Sequence, residues 1–358
     1  MKEPKFLQLK EDLKSKIIQK EWKAGQKIPS ENILSEQYHI SRQTVRKAIR
    51  ELTEEGYLYA EHGRGTFVSL HTIHTKTSKN IAVVTTYLSD YIFPRLIQGI
   101  EQVMTENGYS ILLKTTRNSR AAEARCMEEL LSKDIDGLII EPSKTQISCR
   151  HTSLYDQMDE YEIPYVFIQG YFEQMKKKPY VLMDDMKGGY LITKYLIETG
   201  HRHIHGIFKA DDVQGQARHK GYVKALQEAG ILYEPDYVIW FYTEDREVKP
   251  RDAVSNVIQT EVPCDAVVCY NDQVAVEVIR TLREFGKKVP RDVSVTGFDN
   301  SLLAKNNHIP ITTVSHPQDK LGKMAAELLL CLIRGEQLTE EEIHIRVEPE
   351  IVVRNSTR

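Results

Sequence analysis

Near its N-terminus the chain reads Ile40-Ser41-Arg42-Gln43-Thr44-Val45-Arg46-Lys47-Ala48-Ile49-Arg50-Glu51-Leu52, and this stretch decides the fold of the first seventy residues. Its apolar positions recur at i, i+3, i+4 and i+7 and are Val45, Ala48, Ile49 and Leu52. This spacing predicts an amphipathic helix that buries one stripe and begins near Ser41, which suits a helix N-cap. The opposite face is polar and basic: Arg42, Gln43, Thr44, Arg46, Lys47 and Arg50.

Two further helices are predicted before this one. The shorter opens at residues 29–31 and should place Ile33, Leu34 and Tyr38 on its inner face. The first, roughly residues 4–20, carries the apolar stripe Phe6, Leu9, Leu13 and Ile17, with the outward lysines Lys5, Lys10, Lys14 and Lys16. Because a tight link at residues 39–40 separates the last two helices, the pattern predicts a helix-turn-helix.

A hairpin with a basic tip follows these helices. Residues 57–60 alternate as a strand, Gly63 and Gly65 turn the chain, and residues 66–68 return. Glycine lets the backbone approach a phosphate or a minor groove closely, and His62 and Arg64 supply donors at the tip. Taken alone, the two glycines would more simply serve only the turn, but their position after three helices favours a DNA-binding wing.

Residues 28–68 resemble the DNA-binding domain of the GntR family of bacterial transcription regulators. The resemblance is carried by a Pro-Ser-Glu helix start, a Ser-Arg-x-Thr-Val-Arg helix and a Gly-x-Gly-Thr-Phe-Val hairpin, in that order. Arginine and glutamine pair with guanine and adenine edges, and lysine and helix N-termini hold phosphate. With the resemblance, this predicts a DNA interface of Lys5, Ser30, Glu31, Asn32, Ser41, Arg42, Gln43, Thr44, Arg46, His62, Gly63, Arg64 and Gly65.

Charge is distributed unevenly along the chain. The net charge is −3, but residues 1–70 carry 13 Lys and Arg against 10 Asp and Glu, whereas the rest carries 35 against 41. A modestly basic head on an acidic body suits a sequence-selective regulator better than a protein that coats DNA.

Composition limits the remaining classes. The five cysteines are odd in number and lack a CxxC pair, which supports neither a disulfide framework nor a zinc site. No apolar stretch of signal-peptide or membrane-spanning type stands out, so we expect a cytoplasmic protein without a metal or cofactor.

A polar segment, residues 70–79, is expected to link the head (residues 1–69) to a body of residues 80–358. Short apolar runs then alternate with helical patterns, at residues 81–84, 110–113, 137–140, 166–168, 204–208, 238–241, 266–269 and 293–296. This alternation predicts α/β architecture with parallel sheets. We expect two lobes, the first about residues 80–185 and 316–342, the second about residues 186–315 and 343–358.

Polar and aromatic residues follow these runs, where ligands of parallel sheets bind. Carboxylates, amides and an arginine beside aromatic rings suit a sugar, because each hydroxyl needs donors and acceptors and rings cover C–H faces. The body resembles the effector domain of the LacI/GalR regulators, a two-lobed type I periplasmic-binding-protein-like fold, in residues 218–222, 269–275, 289–299 and 312–317. The residues and the resemblance together imply as effector ligands Tyr91, Phe93, Glu141, Gln169, Lys209, Arg218, Asn271, Asp299 and His316.

A GntR-type head on this body, with residues 85–94 and 206–212, resembles regulators of arabinose utilisation in Gram-positive bacteria. That resemblance implies a repressor with L-arabinose as its effector. The mechanism that we expect is a homodimer, joined through the body, that blocks transcription on operator DNA and is released by the sugar. Residue types alone permit many sugars, a sugar phosphate, or an activator. A sugar-transport protein would have no use for the head. An enzyme acting on sugars could use Asp211 and Asp212, or Glu141, as acid and base, but the sequence has no phosphate loop, metal-ligand spacing or nucleophile motif, and Asp211 and Asp212 are more simply a pocket edge or a solvated turn.

Overall fold

The computed structural model describes residues 4–18, 21–23, 25–61, 63–69, 78–88, 91–260 and 262–358. His62 of the predicted wing and residues 70–77 of the predicted linker therefore lie outside the described residues. The chain forms two compact units: residues 1–80 with 127–136 and 153–164, and residues 81–126 with 137–152 and 165–358.

The first unit contains a three-helix head and a hairpin. Its elements are α1 (Lys5–Ile18), α2 (Glu31–Gln37), α3 (Arg42–Glu54), β1 (Leu58–Glu61) and β2 (Gly65–Val68). Strands β1 and β2 pair antiparallel, with Leu58 opposite Val68. The helix starts arise from local capping: the Ser30 hydroxyl accepts from Ile33 N at the start of α2, and the Ser41 hydroxyl accepts from Thr44 N at the start of α3.

Two expectations for the head are wrong. Ile33 was expected on the inner face of α2, but it is 54% exposed, and Leu34 alone is buried there. Lys14 was expected outside, but it is 2% exposed and pairs with the Asp134 carboxylate, which also accepts the Tyr57 hydroxyl at 2.8 Å. The head therefore packs with residues 127–136 inside the same unit.

The remaining elements alternate as βα units. In chain order they are β3 (Asn80–Thr85), α4 (Phe93–Glu106), β4 (Ser110–Thr115), α5 (Arg120–Leu131), β5 (Gly137–Ile140), α6 (Thr152–Glu160), β6 (Tyr165–Ile168), β7 (Tyr180–Met183), α7 (Asp185–Glu198), β8 (Ile204–Lys209), α8 (Val213–Glu228), β9 (Val238–Phe241), α9 (Lys249–Gln259), β10 (Ala266–Cys269), α10 (Asp272–Glu284), β11 (Ser294–Asp299), α11 (Leu302–Asn306), β12 (Thr312–Ser315), α12 (Gln318–Ile333), α13 (Glu340–Ile343), β13 (His344–Val347) and β14 (Ile351–Val352).

Within the described residues, these strands form two six-stranded sheets. The lobe 1 sheet has the order β13-β7-β6-β5-β3-β4, and the lobe 2 sheet has the order β14-β12-β11-β10-β8-β9. Strands β5, β6 and β7 are buried throughout, which is why their sequences read as continuous apolar runs.

The chain crosses between the lobes three times in the described residues: after β7, after β12, and between β13 and β14. The expectation that lobe 2 resumes at residue 343 is wrong. Strand β13 lies parallel to β7, with His344 opposite Tyr180, and so completes the lobe 1 sheet. A short strand with polar flanks does not reveal its partner in sequence, because pairing depends on residues more than 160 positions away.

No helix among the described residues combines the length and the apolar character needed to cross a bilayer.

Candidate DNA-binding surface and ligand cavity

Helix α3 presents a polar face beside a buried one. Val45, Ala48, Ile49 and Leu52 are buried, whereas Arg42, Gln43, Arg46 and Arg50 are exposed, as the spacing predicted. The Ser41 hydroxyl accepts the Thr44 backbone amide at 3.2 Å and is hydrogen-bonded to the Thr44 hydroxyl at 2.8 Å. This cap secures the N-terminus of the helix, where free backbone N–H groups attract phosphate.

Helix α2 holds one arginine of that face in place. The Glu31 carboxylate accepts Arg46 Nε at 3.0 Å and Arg46 NH2 at 2.8 Å, and Arg42 NH2 lies 3.9 Å away. The hydrogen bond from Arg46 holds the pKa of Glu31 below its ordinary value. Glu31 was expected to meet DNA, and in this structure it orients the arginine, whose side chain remains 64% exposed.

The hairpin tip has the backbone that its glycines permit. Gly63 and Gly65 have φ of +75° and +121°, which L-residues with side chains rarely adopt. Arg64 is 73% exposed and pairs with Glu61 at 2.5 Å. Lys5, Ser30 and Asn32 are also exposed, so the described members of the predicted interface other than Glu31 and Thr44 are open to solvent.

A cavity of about 760 Å³ lies between the carboxyl ends of the two body sheets. Eight of the nine predicted effector residues line it: Tyr91, Phe93, Glu141, Gln169, Lys209, Arg218, Asn271 and Asp299. His316 does not line it, but its Nε2 lies 3.1 Å from Gln169 Oε1. Burial lowers the pKa of His316 to about 4, so this imidazole is neutral.

Arg218 is the most strongly held of these side chains. Its Nε donates to Asp185 at 2.8 Å, its NH1 donates to the Tyr270 carbonyl at 2.5 Å, and its guanidinium lies 3.6 Å from the Phe298 ring centroid. Burial alone would lower the pKa of Arg218, but Asp185 and Asp299 outweigh it and raise that pKa.

Close packing of α7 on α8 determines the position of the Arg218 backbone. A Cβ added at Gly189 would lie 2.2 Å from the Arg218 carbonyl oxygen. A glycine at this position of α7 therefore allows the two helices to approach, and α8 then directs the guanidinium toward the cavity.

Carboxylates on both lobes face this cavity. Glu141 of lobe 1 accepts the Thr86 amide at 2.8 Å and the Thr86 hydroxyl at 2.6 Å, both through Oε2, and within the described residues its Oε1 accepts no hydrogen bond. Burial raises the pKa of Glu141 to about 7, although the bonds from Thr86 oppose this. On lobe 2, Asp212 accepts the Tyr270 hydroxyl at 2.7 Å and lies 3.0 Å from Lys209 Nζ.

Several lining residues were not among the predicted effector ligands: Thr86, Tyr87, Asn118, Asp212, Gln214, Arg246, Tyr270 and Gln273. Of these, Asp212 was named only as a pocket edge or turn. Asp212 and Tyr270 lie inside motifs that drew attention to Lys209 and Asn271, so proximity to those motifs was a usable signal. Arg246 follows β9 on an exposed loop, and no local pattern distinguishes it from other surface arginines.

Strained backbone marks the edge of the cavity. The non-glycine residues Tyr91, Gln169, Asp299 and Asn300 have φ of 70°, 67°, 99° and 47°. Such conformations persist where the surrounding structure holds them, and they concentrate at ligand sites. Aromatic faces, carboxylates, amides and paired cations together can bind a neutral polyol.

Comparison with known proteins identifies the class of protein to which this chain belongs. Residues 6–68 match the model for bacterial regulatory proteins of the gntR family, and residues 193–357 match the model for a periplasmic binding protein-like domain. The structure resembles that of a transcriptional regulator CelR-cellobiose complex, with a TM-score of 0.69 and 25% identity over 92% of this chain and 100% of that chain. The protein is therefore a DNA-binding transcription regulator with a small-molecule-binding body, and not an enzyme.

The particular family follows from full-length relatives. The chain is 40% identical to the arabinose metabolism transcriptional repressor of Halalkalibacterium halodurans, over 99% of this chain and 97% of that protein. It is also 40% identical to the arabinose metabolism transcriptional repressor of Geobacillus stearothermophilus, over 99% and 98%. The chain belongs to the family of arabinose metabolism transcriptional repressors.

Proposed function

We propose that this protein represses arabinose-utilisation genes and leaves its operator when L-arabinose occupies the cavity between the lobes. The observation that carries the proposal is the 40% identity to two repressors of that name over nearly the whole chain, which includes both the head and the cavity. A protein that binds chromosomal operators works in the cytoplasm.

The charge pairing in the cavity supports a neutral sugar over a sugar phosphate. Four cations among the described residues line it, and each has a carboxylate within 4 Å: Lys209 with Asp212 at 3.0 Å, Arg218 with Asp185 at 2.8 Å, Arg246 with Glu247 at 3.9 Å and Arg280 with Glu277 at 3.5 Å. A phosphate would have to compete with these carboxylates, whereas hydroxyl groups can bond to both partners of a pair.

For the DNA-bound form, we propose that α3 enters the major groove with Arg42, Gln43 and Arg46 toward base edges and backbone. The exposed hairpin tip, with Arg64, would contact the adjacent minor groove or phosphates. Two copies joined through their bodies would place two heads on the half-sites of a near-palindrome, because a two-fold dimer matches a two-fold operator.

Release requires the sugar to favour the arrangement that binds operator poorly. Closure of the lobes around the sugar would shift the faces that join two bodies and so change the spacing of the heads. Coupling of this kind is typically about 1 to 3 kcal/mol, which corresponds to roughly 5- to 150-fold in operator affinity.

The first test is calorimetry of the full chain with L-arabinose, D-xylose, D-ribose, D-galactose and D-fucose. Selective binding of L-arabinose supports the proposal, and binding of none of these sugars would refute it. A band-shift titration with the operator follows. Operator affinity that is unchanged at saturating L-arabinose would refute release, and higher affinity would indicate the opposite sign of regulation.

A further inference from the structure

The Asp299–Asn300 turn, at the end of β11, adopts a backbone conformation that residues with side chains disfavour. Asp299 and Asn300 have φ of 99° and 47°, so two consecutive non-glycine residues lie at positive φ. The Asp299 carboxylate is nevertheless well placed: Asp299 is 3% exposed, lines the cavity, and its Oδ1 lies 3.7 Å from Arg218 NH2. Contacts elsewhere must therefore hold this backbone, because strain persists only where neighbouring groups determine it.

Asp272 supplies the strongest of these contacts. Its Oδ2 accepts the Ser301 amide at 2.8 Å and the Ser301 hydroxyl at 2.8 Å, and its Oδ1 accepts the Thr313 hydroxyl at 2.6 Å. Its side chain is fully buried. This carboxylate, on the first residue of α10, is thus bonded to the residue that follows the strained turn and to strand β12.

The rest of the network points to the same turn. Gln318 Nε2 donates to the Asp299 carbonyl at 2.8 Å, and the Tyr91 hydroxyl donates to the Phe298 carbonyl at 3.0 Å. The same Tyr91 hydroxyl accepts the Asp272 amide at 3.1 Å. Room for the carboxylate depends on a glycine, because a Cβ added at Gly297 would lie 2.1 Å from Asp272 Oδ1.

We infer that Asp272, which does not line the cavity, is a positioning residue: it holds the strained Asp299–Asn300 turn and thereby aims the Asp299 carboxylate at the sugar. This inference rests on the proposed sugar site. Two carboxylate oxygens accept three donors here. Asparagine would keep one acceptor oxygen and place an NH2 group where the other oxygen is, so one of the three partners could no longer donate to residue 272 and the network would be weakened.

The first variant is Asp272→Asn in the full chain. We expect L-arabinose affinity measured by calorimetry to fall at least about tenfold, with operator affinity in the absence of sugar unchanged. A control for general weakening of lobe 2 is Val278→Ala, a fully buried position of the same helix α10. That control should lower the thermal midpoint while sugar affinity stays near the wild-type value.

A rescue separates positioning from a merely structural role. Glycine adopts positive φ freely. The double variant Asp272→Asn with Asn300→Gly should therefore bind sugar at least about threefold more tightly than Asp272→Asn alone. Asn300→Gly alone should bind sugar like the wild type. The inference would be overturned if Asp272→Asn bound sugar with wild-type affinity. It would also be overturned if Asn300→Gly did not restore the affinity lost in Asp272→Asn and Val278→Ala lost affinity to the same extent.

Amide hydrogen exchange decides the point even if the sugar proposal fails. The Ser301 amide is protected by Asp272 in the wild-type chain, so exchange at residues 299–302 should accelerate in Asp272→Asn and slow again when Asn300→Gly is added. Equal exchange in the wild type and in Asp272→Asn would overturn the positioning role. If the wild-type chain bound no sugar, the sugar site would be refuted. Accelerated exchange in Asp272→Asn would in that case still support the role of Asp272 in fixing the Asp299–Asn300 backbone.

Discussion

The buried carboxyl group of Glu141 should make sugar binding depend on pH. Its pKa of about 7 is raised by burial, opposed first by the hydrogen bonds from Thr86. A sugar hydroxyl that donates to Oε1 favours the ionised carboxylate, so sugar binding should lower the pKa of Glu141. Sugar affinity should therefore fall as the pH falls through about 7, when the unliganded group becomes protonated.

The size of this effect follows from the pKa. At pH 8 about nine tenths of the unliganded Glu141 is ionised, and at pH 6 about one tenth, so the dissociation constant should rise about tenfold from pH 8 to pH 6. Tenfold corresponds to about 1.4 kcal/mol. Calorimetric titration of L-arabinose at both pH values measures this ratio directly.

Glu141→Gln is the matched control, because glutamine keeps the shape and can still accept a hydrogen bond without titrating. Its sugar affinity should differ less between pH 6 and pH 8 than that of the wild type. The difference that remains belongs to Asp185 and Asp272, because burial raises their pKa values to about 6 and about 7. If the wild type and Glu141→Gln show the same ratio between the two pH values, the assignment of Glu141 as the titrating sugar ligand is refuted.

Three other substitutions test the DNA surface, the cavity and the packing that supports it. Arg46→Ala should weaken operator binding by about 1 to 3 kcal/mol in a band-shift titration, whereas Arg291→Ala, a 70% exposed arginine of lobe 2, should leave it unchanged. Arg218→Ala should abolish the response of the operator complex to sugar while operator affinity persists. The same substitution should lower the free energy of unfolding by about 3 to 5 kcal/mol in chemical denaturation, because the buried Asp185 carboxylate loses its counter-charge. Gly221→Ala should lower the free energy of unfolding by about 1 to 3 kcal/mol in chemical denaturation, because the added Cβ would lie 2.1 Å from the Met186 carbonyl oxygen. An unchanged free energy of unfolding would contradict the close approach of α7 and α8.

Prediction from sequence succeeded where a pattern is local. The apolar stripe of α3 and its serine cap are contained in thirteen consecutive residues, and the eight apolar runs all became strands. Strands β7, β12, β13 and β14 were not among those runs. The last of these has only two residues, too few for periodicity to show.

The ligand cavity was predicted in part, for a reason that the fold makes clear. Residues that directly follow a parallel strand lie at one edge of a sheet, so strand ends identified Glu141, Gln169 and Asp299. Arg246 reaches the same cavity from a loop, where no rule of position applies. The roles of Asp185 and Asp272 as partners of Arg218 and Ser301 were likewise invisible, because those partners lie 33 and 29 residues away.

The sequence by itself determined the architecture of this protein: a winged helix-turn-helix with a basic helix face, followed by a two-lobed α/β body with polar strand ends. Tertiary structure alone decided that Lys14 is buried against Asp134, that Glu31 holds Arg46, and that β13 completes the lobe 1 sheet. The physical reason is that helix and strand periodicity depends on neighbours within a few residues, whereas the partner of a charge or of a sheet edge depends on which distant segments the fold brings together.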